Sequence, residues 1–152
     1  MAAGRLETAS GARHAALDLA ASLAYIERVH ADYLAYACVD RFTGTLAEIG
    51  PGDNFGVALL FMAGGAEAVH TIDRYRPLRD AAAQAAIYDA LAQRHGLAHL
   101  FDGPPGEDTI QGVAAHAGEP AETFFRDHVL AYDTIVSRAV LELIESKSTI
   151  VA

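Results

Sequence analysis

The chain has 152 residues, 52% of them apolar, enough to bury one core of ordinary size and too few for two independent domains. Its 11 basic against 20 acidic residues give a formal charge of −9, which excludes a broad, sequence-independent grip on nucleic acid, since that grip needs clustered Lys and Arg. Cys38 is the single cysteine, so no internal disulfide can form, and the thiol reads as a small core residue in a reducing cytoplasm.

At the N-terminus Glu7, His14 and Asp18 follow Arg5 and interrupt any apolar run before it reaches the length of a signal-peptide core. The most apolar stretch, Val57 to Ala63, is far shorter than the roughly 20 residues that span a bilayer. A cytoplasmic protein without membrane contacts is expected. From about Ala12 to Val39, Leu19, Leu23, Ile26, Val29, Tyr33 and Tyr36 recur at steps of three and four, the period of one helix face. This predicts an amphipathic helix, broken at most once, with Asp18, Glu27, Arg28 and Asp32 on its solvated side. Residues 1–42 are read as an N-terminal helical segment and 43–152 as a separate α/β unit.

In that unit Leu46 to Ile49 runs into Gly50-Pro51-Gly52, and a short apolar run stopped by glycines reads as a buried strand. Asn54 to Ala63 is helical, Gly64-Gly65 ends it, and Ala68 to Ile72 forms a second strand closing at Asp73. Strand, turn, helix, turn and strand within about thirty residues make a right-handed βαβ unit. Asp80 to Arg94 is a second helix, with Gly96 just past its end. Phe101 to Gly106, with two prolines and two glycines, is a surface loop. A weaker strand is expected at Val113 to His116, a helix or loop at Ala121 to His128, a strand at Ala131 to Ser137 and a further helix from Val140 to Glu145. The expected fold is α/β: a Rossmann-like parallel sheet of about four strands in order 3-2-1-4, helices on both faces, and the amphipathic helix in front.

The glycines of Glu48-Ile49-Gly50-Pro51-Gly52-Asp53-Asn54-Phe55-Gly56 stand where a strand turns into a helix, which lets a ligand approach the backbone closely. Asp73 ends the next strand about 25 positions beyond Glu48, the place from which an acid accepts ribose hydroxyls in doubly wound folds. It could also cap the following helix. A dinucleotide would set an anionic pyrophosphate on the turn, and Glu48 and Asp53 would repel it. An ammonium and a sulfonium would be attracted instead.

Glu48-Ile49-Gly50-Pro51-Gly52 resembles the first motif of class I, Rossmann-like S-adenosylmethionine-dependent methyltransferases, with Asn54 where many members have a third glycine. Asp73 matches the acid of the second motif. Gly118-Glu119-Pro120-Ala121-Glu122 looks like the acid-bearing turn after the third strand, and Tyr132 to Ser137 resembles the fourth-strand motif, continued by Arg138 to Glu142. The resemblance spans roughly Leu46 to Leu143. It implies S-adenosylmethionine as cofactor, with Gly50 and Gly52 against the methionine part and Glu48 near its ammonium. Asp73 would hold the ribose, and Arg74 or Tyr75 would lie along the adenine. Glu119, with Glu122 as competitor, would accept from the exocyclic amine, and Ser137 would contact the methionine moiety through its backbone.

The resemblance assigns no catalytic base, and the methyl acceptor stays open. Leu143 stands where related proteins often have His. A complete fold of this class has seven strands, and only four are counted here, Thr149-Ile150-Val151 at most starting a fifth. A partial, C-terminally truncated domain is therefore expected, weak or inactive alone. Its fourth strand would lie at an uncovered edge, which invites a homodimer or a complementing chain.

Three other constellations are weaker. His95 and His99 have the spacing of a metal pair, with Gly96 between them and no third ligand, so no metal is expected. Arg74, Arg76 and Arg79 could suggest a 2′-phosphate site, which Asp73 would oppose. Ser137 and His128 lack a nucleophile elbow. The alternatives are a non-catalytic nucleotide-binding or assembly module and, less favoured, an NAD(P)-binding oxidoreductase.

Overall fold

The computed structural model describes residues 7–8, 14 and 17–138. The helix expected at Val140–Glu145, Leu143 and the strand start at Thr149–Val151 lie outside the described residues. The elements in chain order are β1 (Glu7–Thr8), α1 (Leu19–Ala37), β2 (Gly44–Ile49), α2 (Gly56–Gly64), β3 (Ala66–Asp73), β4 (Arg76–Pro77), α3 (Ala81–His95), β5 (Val113–Ala117), α4 (Ala121–Asp127) and β6 (Thr134–Ser137).

α1 runs unbroken, started by Asp18, whose carboxylate accepts from Ala21 N–H at 2.7 Å. It ends at Cys38, which adopts a left-handed φ of 54° and is exposed. Cys38 is thus a helix cap and not a core residue: the chain has to turn away there, and the turning residue leaves the packed face. Leu23, Ile26 and Val29 form the buried stripe. Leu19 and Tyr36, expected on that stripe, are 44% and 89% exposed. The reason is length, since α1 has 19 residues and α2, on which it packs, has nine.

α2 is apolar throughout and buried from Gly56 to Phe61, because it is pressed between α1, α3 and β3. It starts later than Asn54 because Phe55 is the N-cap and Asn54, outside the helix, forms a turn in which its side-chain oxygen accepts from Gly56 N–H. Ile26 packs so tightly against Gly56 that a Cβ there would lie 2.6 Å from its Cδ1. α3 has Asp80 as its cap, accepting from Ala82 and Ala83. The helix-capping role considered for Asp73 therefore belongs to Asp80.

β5, β3, β2 and β6 form one four-stranded parallel sheet in that spatial order. Numbered along the whole chain, with the two-residue β1 and β4 counted, the order is 5-3-2-6; the four strands of this sheet taken alone stand in the order 3-2-1-4. Two strands of two residues each, β1 and β4, were not legible as strands, and they pair with each other outside the sheet. Residues 131–133, expected in the last strand, precede it: the left-handed Leu130 (φ 57°) turns the chain, and Asp133 ties to Thr45 through both its backbone and its carboxylate before the ladder begins.

Alternation sends Leu46, Val69 and Val136 to one face, where α1, α2 and α3 cover them, and Ala47, Ile49 and Ile72 to the other, where Phe124 and Phe125 of α4 lie. Among the described residues helices therefore cover both faces of the sheet, three on one and one on the other.

Candidate functional site

Register fixes the site. Ile49 pairs with Ile72 and Ser137, and Asp73 with Ala117, so Glu48, Gly50, Asp73, Glu119 and Ser137 all lie at the carboxyl ends of parallel strands. In open α/β sheets that rim is where ligands bind. Gly50 and Gly52 both have left-handed φ, 72° and 77°, and Gly50 N–H donates to Ile72 O at 2.8 Å, which folds the turn against the end of β3.

The turn opens on a cavity of about 320 Å³, whose walls include Glu48, Gly50, Tyr25, Arg28, Tyr33 and Arg138. Glu48 is 3% exposed, and its Oε2 has no hydrogen-bond partner among the described residues. Burial pushes its carboxyl up to about 8, so at neutral pH it is mostly protonated. Burial and the nearby Glu48 charge hold the Tyr33 phenol well above its ordinary value. Arg138 also bonds Asp32 at 2.6 Å, and Arg28 lies over the Tyr25 ring at 5.4 Å.

This changes the electrostatics expected of the turn. Asp53 is 2% exposed and accepts from His14 N–H at 3.0 Å, so its carboxylate is turned inward against His14 and not toward the rim surface. Glu48, raised by burial, is mostly neutral at neutral pH. A different observation now opposes a pyrophosphate. At the start of α2, Phe55 N–H donates to Tyr88 Oη at 3.2 Å and Gly56 N–H to Asn54, so two of the backbone donors that such an anion would use there are taken.

At the next strand end Asp73 is half-buried. Its Oδ1 accepts from Tyr75 N–H at 2.9 Å, and its carbonyl accepts from Gly118 at 2.8 Å and Glu119 at 3.3 Å. Desolvation raises the Asp73 carboxyl above the ordinary value, opposed by the Tyr75 N–H and by Arg79. Asp73 and Glu119 are thereby brought together. Arg74 is exposed, 6.0 Å from the Tyr75 ring. Ser137 Oγ is buried without a hydrogen-bond partner among the described residues.

No family model, curated protein or solved structure matches this chain.

The other constellations separate in space. Arg79 is committed to Glu107 and covers the Phe55 ring at 4.1 Å, so the three arginines do not form one anion site. His95 bonds Glu27 at 3.0 Å and His99 faces Gly96 O at 3.2 Å. His128 lies on the Phe124 ring, bonded to Phe124 O at 2.7 Å, and not beside Ser137. The cavity walls from α1 escaped sequence reasoning because Arg28 and Tyr25 fall on the margin of its apolar stripe. Only the packing of α1 over the turn turns them into lining.

Proposed function

We propose that this chain binds S-adenosylmethionine along the carboxyl rim of the sheet and serves methyl transfer. The observation that carries this is Glu48, a buried carboxyl with an unpartnered oxygen beside a cavity at a glycine turn, in line with Asp73 and Glu119. A buried polar atom without a partner costs free energy, and a ligand ammonium offsets that cost. Gly50 and Gly52 admit the methionine part, and Ser137 meets it through its backbone. Asp73 takes the ribose through Oδ2, Arg74 or Tyr75 flanks the adenine, and Glu119, with Glu122 as competitor, accepts from its amine.

The sulfonium would supply a good leaving group, so the residues here have to orient donor and acceptor and exclude water. The methyl acceptor is unassigned, and no residue is assigned as general base. Calorimetry with S-adenosylhomocysteine should give saturable heat, while NADP should give none. Binding of NADP with no response to the homocysteine compound would overturn the assignment. The second reading, a non-catalytic nucleotide-binding or assembly module acting as a homodimer or with a complementing chain, is favoured by β6, which is the sheet edge among the described residues and carries Ile135 at 36% exposure. Saturable ligand binding with no methyl transfer to any acceptor would favour it.

A further inference from the structure

The thinly covered face of the sheet carries a group of side chains that the rim does not use. His70 of β3 and His116 of β5 meet with Nδ1 and Nε2 3.0 Å apart. Their planes differ by 10° and their centroids are 5.2 Å apart, longer than the N···N distance by about one ring's width, so the rings meet edge to edge in one plane. That is a linear imidazole–imidazole hydrogen bond, which needs one facing nitrogen with a proton and one without. Tyr132 Oη is 3.0 Å from the same His70 Nδ1.

The pair holds α4 from beneath. His116 lies 4.6 Å from the Phe124 ring, Phe124 lies on His128 at 4.1 Å, and Tyr132 meets the Phe125 ring edge at 5.7 Å. Among the described residues the apolar support of this helix is otherwise small: Ala47, Ile49 and Ile72 beneath Ala121, Phe124 and Phe125, with Tyr132 at the margin.

We propose that the His70–His116–Tyr132 group is a proton-operated clasp that keeps α4 on the sheet when the pair is neutral and releases it when both imidazoles are charged. Two protonated rings present donors to each other, and two cations then sit side by side at a part-buried position. The groups that bear on the pair are known. His70 is held below the ordinary imidazole value by burial, then by His116 and His128. His116 is lowered by burial and by His128, while Glu119 acts in the opposite sense. Burial raises the Tyr132 phenol, which stays protonated throughout. The sign follows: both histidines have depressed values in the folded chain, so the clasp is complete at neutral pH and is lost as pH falls through those values. α4 begins two residues after Glu119, so its release would also loosen the turn that bonds Asp73. The clasp itself stands independently of what the rim binds.

The test follows amide exchange in the full chain between about pH 7.5 and pH 5, corrected for intrinsic rates, with ring NMR of the histidines. The α4 amides should lose protection by about tenfold or more while β2 and β3 keep theirs, and a dye for exposed apolar surface should report Phe124 and Phe125. His70 and His116 should titrate in two separate steps, both below the ordinary imidazole value. The variant carrying His70→Gln and His116→Gln should lose the pH response of α4. Unchanged α4 protection, simultaneous titration at the ordinary value, or the same response in the double variant would each overturn the proposal. If that variant does not fold, the ring titrations of the natural chain decide.

Discussion

The two faces of the sheet are built from the same strands and solve burial differently. On one face three helices enclose Leu46, Val69 and Val136, and Phe61 is fixed by the rings of His30, Tyr33 and Phe42. On the other, seven-residue α4 covers Ala47, Ile49 and Ile72, and its border is imidazole and phenol. The thick face can hold a buried acid without a partner because apolar contact around Glu48 carries the stability. The thin face has little apolar area to spare and uses hydrogen bonds that depend on protons.

The largest effect should come from comparing Phe61→Ala with Phe124→Ala in denaturant unfolding. Phe61→Ala should cost about 4 to 5 kcal/mol and Phe124→Ala nearer 3, since α4 can shift to fill part of the space. A larger loss at Phe124 would break the distinction between the faces.

Next comes Glu48→Gln. The folded carboxyl is raised to about 8 from an ordinary 4.5, so the folded chain binds the extra proton, and stability falls as pH rises across that window, by at most about 1.4 kcal/mol per pH unit. Glu48→Gln should remove this slope and be more stable than the natural chain above pH 7. A parallel dependence in both proteins would show that Glu48 is hydrated. For the same reason an ammonium ligand at Glu48 should release a proton and bind more tightly as pH rises toward that value, by at most about tenfold per unit. Isothermal titration in buffers of different ionisation heat measures that proton.

Asp73→Ala should weaken S-adenosylhomocysteine by about 1.5 to 3 kcal/mol for each hydrogen bond lost to a charged acceptor, with the fold intact. Unchanged affinity in a folded variant would leave Asp73 with the turn at Tyr75 alone. The smallest effect concerns the edge. If β6 pairs with a second copy, Thr134→Lys should lower the association constant about tenfold by repulsion between like charges. Sedimentation across a concentration range checks it, and a natural chain that stays strictly monomeric would remove the edge from the assembly reading.

The βαβ unit was legible because its signals are local: Gly50-Pro51-Gly52 and Gly64-Gly65 bracket an apolar helix, and Asp73 closes a strand. The rim positions followed from that unit. What escaped depends on residues far apart in sequence. Asp133 bonding Thr45 N–H across 88 positions moved the start of β6. The β1–β4 pair has too few residues to show a period, and Cys38 resembled a core residue because its neighbours are helical. The burial of the turn's acids escaped for the same reason, since it raises the Glu48 carboxyl to about 8 and sets Asp53 against the His14 N–H.

That seam between β2 and β6 has a kinetic consequence. β2 and β3 are joined through a short apolar helix, so that Leu46 pairs with Val69, 69 − 46 = 23 positions on, whereas it pairs in β6 with Thr134, 134 − 46 = 88 positions on and roughly four times as far. Closing the longer loop costs about 1.2 kcal/mol more in chain entropy, two doublings of length. The β2–α2–β3 crossover unit should therefore form in the earliest folding phase, and docking of β6 should be the late, slower event that limits the rate. Because Arg138 follows β6 directly and walls the cavity, the ligand-binding competence of the rim should arise only with that last step, and refolding followed by ligand capture should lag behind the recovery of secondary structure.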